Sequence, residues 1–425
     1  MRQKIVIVGG GFAGLNLIKQ LSKMNEFEVV LVDLNNYHFF PPLIYQVGTS
    51  FIEASNISYP FRKMFQSYQN VRYFNGAFER VDTVSKTIFT SNGSLQYDYL
   101  VLAMGTETNY FGMENVKKNS LPLKTIDDAL HLRNELLLNL ESACRTKDNQ
   151  DLVTLTNIVI AGGGPTGVEV AGMLAEMGKH IAAKDYPELP RRMQSIYLVD
   201  AGGSLLAAMS KKSQEEAYKT LDELGVIVKL NVAVKDFSDN IVLLADGTQI
   251  PTATLIWASG VIAREVPGLP PETVMRGRRI SVDAHNRVLG MNDVFVIGDQ
   301  SFMVEDRAYA NGHPQLAQVA IQQGILLAKN FRAIQQNQPL KPFSYTDKGS
   351  MAIISKFKAV VDMPKLFLKG FVAWLAWLLI HIIPIAGFRN KGKLAMNWLL
   401  SFITNDPTLR LIIRSEKSIQ GKSMP

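Results

Sequence analysis

Ile5-Val6-Ile7-Val8-Gly9-Gly10-Gly11-Phe12-Ala13-Gly14 opens the chain, and Ile158-Val159-Ile160-Ala161-Gly162-Gly163-Gly164-Pro165-Thr166-Gly167 repeats its pattern 153 residues later. Each begins with an uninterrupted β-branched run, which reads as a buried parallel strand. Each continues as GxGxxG. Gly9 makes the tight turn, Gly11 lets a pyrophosphate approach the backbone, and Gly14 lets helix and strand pack closely; Gly162, Gly164 and Gly167 take the same places in the second copy. A helix follows in both, over 13–24 and from the second loop to about 179, with its N-terminal N–H groups free for phosphate. Further strands over 28–32 and 196–199 end at Asp33 and Asp200. The unit is βαβ, present twice, which is a domain duplication rather than a repeat array.

Asp33 follows Gly14 by 19 residues, the spacing of a carboxylate that binds a ribose. Asp200 follows Gly167 by 33, and the stretch 185–194, with two prolines and two arginines, reads as the insertion that delays it. A carboxylate there accepts the 2′-hydroxyl of NADH and repels a 2′-phosphate, whereas Arg191 and Arg192 would favour NADPH. Two such loops imply two dinucleotides, naturally FAD and NAD(P)H arranged for hydride transfer. Two other strands end in residues suited to a flavin passing close to backbone. Tyr99-Leu100-Val101-Leu102 leads to Ala103-Met104-Gly105, and Val294-Phe295-Val296-Ile297 leads to Gly298-Asp299. Asp299 is suited to the ribityl hydroxyls, or to a loop cap.

The 425 residues allow two to four domains. Their expected division is 1–115 and 273–345 for the FAD-binding domain, 116–272 for the NADH-binding domain, and 346–425 for a C-terminal anchoring domain. The single cysteine, Cys144, excludes a disulfide framework, a CxxC redox pair and a cysteine-based metal centre. Six histidines without HxxxH spacing give no metal site, His38 included. The net charge of +7 is located in the tail. From Pro364 onward there are nine Lys or Arg and two acids, and the first 363 residues balance. A neutral body argues against a nucleic-acid surface, and a basic, apolar tail suggests an anionic lipid face.

Residues 370–388 carry no formally charged side chain, barely the length of a membrane span. His381 and Pro384 interrupt it, and Trp374, Trp377 and His381 share one face while Phe371, Leu375, Leu378 and Ile382 share another. Tryptophans in mid-segment suit a helix lying in the interface. Amphipathic stretches over 394–403 and 409–414 continue it. A single span and a buried core or dimer helix are the other readings, and a homodimer through the tail is compatible with the last.

The sequence resembles the two-dinucleotide-binding-domain flavoproteins and, within them, the type II NADH:quinone oxidoreductases. The resemblance covers nearly the whole chain. It rests on both glycine loops, Ala103-Met104-Gly105, Gly298-Asp299, Asn36-Tyr37-His38-Phe39, Pro42-Leu43-Ile44-Tyr45-Gln46-Val47, Gly164-Pro165-Thr166-Gly167-Val168-Glu169, Trp257-Ala258-Ser259-Gly260-Val261 and Ala317-Gln318-Val319-Ala320-Ile321-Gln322-Gln323-Gly324. It implies an α/β fold of two Rossmann-like domains, glutathione-reductase-like, with C-terminal amphipathic anchoring helices. It implies non-covalent FAD, NADH as substrate, a membrane quinone as acceptor and no proton pumping. The cofactor residues it implies include Phe12, Ala13, Pro42, Leu43, Ala317, Pro165, Thr166, Ser259 and Gly260 beside those read from spacing. A helix over 314–334 would aim its N-terminus at the flavin. Gln318 and Gln322, four apart and so on one helix face, would border flavin and quinone. Glu169, in the first turn after its loop, would stabilise the helix N-terminus, or contact NADH and relay protons. Lys356 would face the quinone entrance or solvent.

No signal peptide is visible before Ile5, which suggests a monotopic protein on the cytoplasmic face of the membrane. Other readings are a soluble NADH oxidase or ferredoxin-type reductase of the same fold, disfavoured by the tail, and a redox-sensing flavoprotein with little turnover. Disulfide reductases and sulfide:quinone reductases need cysteines that this chain lacks.

Overall fold

Gln3–Val8 pairs in parallel with Phe27–Asp33 on one side and Tyr99–Leu102 on the other. Val71–Asn75 and Val294–Val296 complete this five-stranded sheet at its two edges. The structure is a computed structural model that describes residues 2–179, 183–190, 195–404 and 410–413. Its contacts divide into two units.

The first unit holds Met1–Phe39, Tyr59–Glu107 and Val261–Lys348. The pleat sends alternate side chains to opposite faces of its sheet. Ile5, Ile7, Val29, Leu31, Val101 and Phe295 join one core with the helices Phe12–Leu21 and Ala317–Gln335. Val6, Val8, Val30, Val32, Leu100 and Val294 join the other. The two helices touch without an intervening side chain, for a Cβ on Gly324 would stand 2.4 Å from the Ala13 carbonyl oxygen. The later helix begins at Ala317, three residues after the Pro314 expected to open it.

The second unit holds Phe40–Ser58, Thr108–Gly260 and the described residues from Gly349 on. Its parallel sheet runs in the order Leu121–Pro122, Thr254–Trp257, Ile158–Ala161, Ile196–Val199, Ile227–Lys229. The helix Ile126–Ala143 starts at a capping box, in which the Thr125 hydroxyl accepts from Asp128 N–H and the Asp128 carboxylate accepts from Thr125 N–H.

The residues after 348 begin as a sheet rather than as an anchor. Ser350–Ser355, Lys358–Met363 and Leu366–Lys369 pair antiparallel. This sheet is seated on the helix Pro165–Met177, where a Cβ on Gly172 would come within 1.6 Å of the Ile354 carbonyl oxygen. It also caps the helix Lys211–Glu223. The Asp362 carboxylate accepts from the N–H and hydroxyl of Ser210 and from the Ser213 hydroxyl, each at 2.8–2.9 Å. Lys369 pairs with Glu216 at 2.9 Å, and Lys358 with Glu223.

Two helices follow, Gly370–Ile382 and Phe388–Thr404. Trp374 and Trp377 point inward, buried, and the Trp377 ring stacks on His381 at 4.0 Å between centroids. The tryptophans expected at a membrane interface are thus core residues. The exposed strip of the first helix is Phe371, Val372, Leu375, Leu379 and Ile380.

Gly172→Ala tests the seat of the C-terminal sheet. The added methyl meets backbone, which cannot rotate aside, so the strand must shift at a cost of about 2–3 kcal/mol. The thermal unfolding midpoint of the purified protein should fall by about 5 °C or more. An unchanged midpoint would mean that the sheet is not seated there.

Candidate functional site

In the first unit the glycine loop is shaped by backbone contacts. Gly9 has φ +105°, and a Cβ on it would lie 2.3 Å from the Ala103 carbonyl oxygen. A Cβ on Gly14 would lie 2.0 Å from the Gly9 carbonyl oxygen. Gly11 differs, since nothing lies within 4 Å of its Cβ position. It is also the N-cap of the helix Phe12–Leu21, which has no side-chain cap and no acid in its first turn. Orphan N–H groups beside an open space fit the pyrophosphate of a dinucleotide.

Asp33 sits at the end of its strand and accepts from Gly10 N–H at 2.7 Å and Asn35 N–H at 2.8 Å. Burial raises its pKa, while those two N–H groups and the charge of Arg264 act the other way. His38 lies behind the loop with Nδ1 3.0 Å from the Gly10 carbonyl oxygen. That oxygen only accepts, so Nδ1 carries the proton. Burial pushes the His38 pKa down to about 4, and the ring is neutral at pH 7.

The two other strand ends in this unit are held by amides. Met104 N–H donates to Gln300 Oε1 at 2.7 Å, and Gly298 N–H donates to Gln323 Oε1 at 2.6 Å. Gly105 and Gly298 have φ +68° and +74°. Asp299 follows in a short 3-10 turn, with the Thr106 hydroxyl 3.4 Å from its carboxylate. Gln300 and Gln323 are wholly buried supports that the reading by motif missed. Gln323 sits inside a quoted motif and Gln300 directly follows one, but glutamine at one register position does not reveal which way it points.

The second unit repeats the arrangement. Gly162 has φ +113°, with its Cβ position 2.6 Å from the Ala258 carbonyl oxygen. A Cβ on Gly167 would lie 1.8 Å from the Gly162 carbonyl oxygen, and that of Gly164 is open. Pro165 occupies the first position of the helix Pro165–Met177, where a missing N–H costs nothing. Thr166 follows it. Asp200 accepts from Gly163 N–H, and from Gly202 N–H at 2.6 Å. The longer spacing therefore leaves the carboxylate where Asp33 stands in the first loop. Gly260, with φ +73°, follows Ser259 after the Thr254–Trp257 strand. Arg191 and Arg192 lie outside the described residues.

Glu169 lies beyond the first turn of its helix, so it does not serve the helix N-terminus. It is 8% exposed. Burial holds its pKa well above the usual carboxylate range, opposed by a hydrogen bond from Ile353 N–H. Tyr45 is buried beside it, and its hydroxyl is raised by burial and by the Glu169 charge.

Gln318 and Gln322 share a face, as the four-residue spacing requires, and both hold the segment leading out of the first unit. Gln318 Oε1 accepts from Lys348 N–H at 3.1 Å, with the Tyr345 hydroxyl at 3.4 Å. Gln322 exchanges two hydrogen bonds with the Thr346 backbone, at 2.9 and 3.1 Å. Ala317 is the first residue of that helix, whose N-terminus has no side-chain cap. Pro42 and Leu43 group with the second unit rather than with the first glycine loop, and Leu43 is fully buried. Lys356 Nζ donates to the Phe402 carbonyl oxygen at 2.7 Å, near the end of the last helix.

A family model described as pyridine nucleotide-disulphide oxidoreductase matches residues 3–324. The chain is 32% identical to the type II NADH:quinone oxidoreductase Ndh of Mycobacterium tuberculosis over 415 residues, covering 95% of this chain and 89% of that one. It is 27% identical to the mitochondrial internal alternative NAD(P)H-ubiquinone oxidoreductase A1 of Arabidopsis thaliana, over 95% of this chain and 84% of that one. Among solved structures, NDH2 of Plasmodium falciparum in complex with NADH superposes with a TM-score of 0.88 at 21% identity, covering 97% of this chain and all of that one. That likeness shows the fold.

Two sets of variants test the site. Gly14→Ala should lower the FAD content of the purified protein. Gly167→Ala should leave the flavin and raise the KM for NADH about tenfold, since displacing the loop by a methyl costs on the order of 1–3 kcal/mol. Equal effects of both variants on FAD content would deny the division of labour. Glu169→Gln tests the buried acid. Its raised folded pKa means that the folded protein binds more protons than the unfolded chain above the unfolded value of about 4.3, so Glu169 costs stability as pH rises through the folded pKa. The variant should gain more in melting temperature at pH 8 than at pH 5, by about 2 °C or more. An equal gain at both pH values would contradict the raised pKa.

Proposed function

Because the chain belongs to the pyridine nucleotide-disulphide oxidoreductases and, within them, to the type II NADH:quinone oxidoreductases, we propose that its first unit holds FAD, its second binds NADH, and its C-terminal helices rest on the membrane that carries the quinone. The observation that supports this most is the doubled loop. Each copy has an open glycine at an uncapped helix N-terminus and a carboxylate bonded to the middle glycine.

Bound FAD supplies the redox chemistry, taking a hydride from NADH and passing two electrons to the quinone. The chain supplies binding and orientation. The helix at Gly11 offers N–H groups to the FAD pyrophosphate and Asp33 takes its ribose, while Phe12, Ala13 and Gly14 form the wall behind. Ala103, Gly105 and Gly298 leave the backbone bare where the flavin runs, with Asp299 at the ribityl chain. Ala317 completes its surroundings in the first unit. Gly162, Gly164, Pro165, Thr166 and Gly167 receive NADH, with Ser259 and Gly260 at its nicotinamide end. Asp200 faces the adenosine 2′-hydroxyl and disfavours NADPH. Gln318 and Gln322 order the backbone beside the quinone, and Glu169, whose burial favours its protonated form, serves proton delivery. The reaction is not electrogenic, in keeping with the family.

Among the described residues no helix is long and apolar enough to cross a membrane. The helix Gly370–Ile382 has 13 residues, about 20 Å at 1.5 Å per residue, against about 30 Å of hydrocarbon. The two last helices instead expose Phe371, Val372, Leu375, Leu379, Phe388, Leu399, Leu400 and Ile403. Such a strip, beside the exposed Lys365, Arg389 and Lys393, suits the anionic cytoplasmic face of a bilayer.

Anaerobic oxidation of NADH should be fast with a short-chain quinone and slow without it, and NADPH should be a poor substitute. Flavin bleaching by NADH with no quinone turnover would sink the reading and favour a redox sensor. Leu379→Glu with Ile403→Glu should weaken co-sedimentation with anionic vesicles about tenfold or more, since each buried side chain contributes on the order of 1.5–3 kcal/mol. Hydride transfer to the flavin should be unaltered. Undiminished sedimentation would show that this face does not meet lipid.

A further inference from the structure

Arg279 is half-buried, next to the short strand Ile280–Ser281 that pairs in parallel with Ser301–Phe302. Its Nε donates to the Ser301 carbonyl oxygen at 3.0 Å. Its Nη2 donates to that same oxygen and, at 2.9 Å, to the His313 carbonyl oxygen. Two residues past His313, Gln315 Nε2 donates to the Asp299 carbonyl oxygen at 3.0 Å. The path from Asp299 through Ser301, Arg279, His313 and Gln315 therefore closes on Asp299. The helix Ala317–Gln335 begins just beyond Gln315, with no side-chain cap and no acid in its first turn.

Each member of this ring is held from outside as well. The Ser301 hydroxyl donates to the Gly298 carbonyl oxygen at 2.9 Å, and Gly298 N–H is bonded to Gln323. His313 is buried, with Nε2 3.0 Å from the Asp306 carboxylate. The same carboxylate oxygen accepts from Tyr345 N–H at 3.0 Å. Gly312 has φ +83°, and a Cβ there would stand 2.9 Å from the Phe302 ring and 3.2 Å from Arg279 Nη1. Its bareness lets the chain pass close over the guanidinium. A planar fork with parallel N–H groups joins two separate stretches of backbone in one fixed geometry.

We propose that Arg279 is a positioning residue for the flavin: its fork closes the ring that fixes the Asp299 turn against the N-terminus of the helix Ala317–Gln335. The inference rests on the reading that the first unit holds FAD, with Asp299 at the ribityl chain and that helix end at the flavin. One molecule then meets both elements, so their mutual placement has to be set before it binds. A helix N-terminus favours negative charge, so a helix end that drifts weakens the hold on reduced flavin more than on oxidised flavin. The fork, not the charge of Arg279, does this work.

The test uses the full-length protein and three variants. Arg279→Lys keeps the charge but ends one bond shorter and loses Nε–H. Gln315→Ala opens the ring on its other side. Arg279→citrulline keeps Nε–H and the Nη2 amino group, puts oxygen in place of Nη1, and is neutral. Arg279→Lys and Gln315→Ala should each raise the FAD dissociation constant about tenfold. In protein saturated with FAD, each should lower the flavin midpoint potential by about 30 mV, a tenfold ratio for a two-electron couple. The double variant should lose no more than either single one, because a ring once opened is open. The citrulline variant should keep both values, and NADH affinity should be unaltered throughout. Gln315→Ala and Arg279→citrulline carry the test if Arg279→Lys does not fold. Unchanged affinity and potential in the ring-opening variants would overturn the inference. So would weaker FAD binding without a shift in potential, because Arg279 would then merely hold the fold. Losses that multiply in the double variant, or a citrulline variant as impaired as the lysine one, would overturn it too. An unmodified protein that neither retains nor rebinds FAD is a different result, and removes the functional reading on which the inference stands.

Discussion

A carboxylate that accepts the N–H of the middle glycine is the interaction on which both nucleotide sites depend. Asp33 does this for Gly10 and Asp200 for Gly163. The bond ties the end of the second strand to the turn leaving the first, and so fixes where the helix N-terminus opens. With the turn fixed, the open glycine, Gly11 or Gly164, faces the space that a phosphate needs. The helix has no side-chain cap of its own in either copy. A helix end left uncapped costs stability unless solvent or a ligand satisfies it, which is the physical reason such an end is an anion site.

Contacts made without side chains set the next level of structure. Gly324 lets one helix lie on another at the Ala13 carbonyl, and Gly172 lets the C-terminal sheet lie on the second glycine-loop helix. Each is a place where any Cβ would strike backbone. The carboxylate of Asp362 then reinforces the second seat by capping the Lys211–Glu223 helix from outside. The residues following 348 are in this way part of the second unit's architecture.

The fold was legible because glycine loops with flanking strands have a strict geometry that repeats. The delay to Asp200 was legible as an insertion, and the carboxylate reaches the same hydrogen bond despite it. Other features depended on direction, which periodicity does not carry. Trp374 and Trp377 lie at helical spacing whether they face lipid or core, and packing on the sheet turned them inward. Gln318 and Gln322 were placed on one face, but their backbone partners at 345–348 are distant in sequence. Gln323, one residue on, takes the supporting role at Gly298 because helix rotation turns it into the core. The strands between Ser350 and Lys369 were missed altogether. Their apolar runs sit against a more conspicuous apolar tail, and the helix on which the sheet is seated lies elsewhere in the chain.

Glu169 is a buried polar residue that stability alone does not account for. A carboxyl at 8% exposure with one backbone donor is a liability to the fold wherever it ionises. Replacing it by an apolar side chain of the same size would relieve that cost. The surroundings instead supply polar company that cannot neutralise it: a tyrosine hydroxyl, an amide and an indole, arranged in one chain of hydrogen-bonding groups. Burial favours the neutral acid and such groups leave its proton exchangeable, whereas a lysine or arginine in the same place would fix the carboxylate ionised. A site that must hold a proton and then release it needs the first arrangement. The composition of this cluster therefore suits the proton role proposed for Glu169.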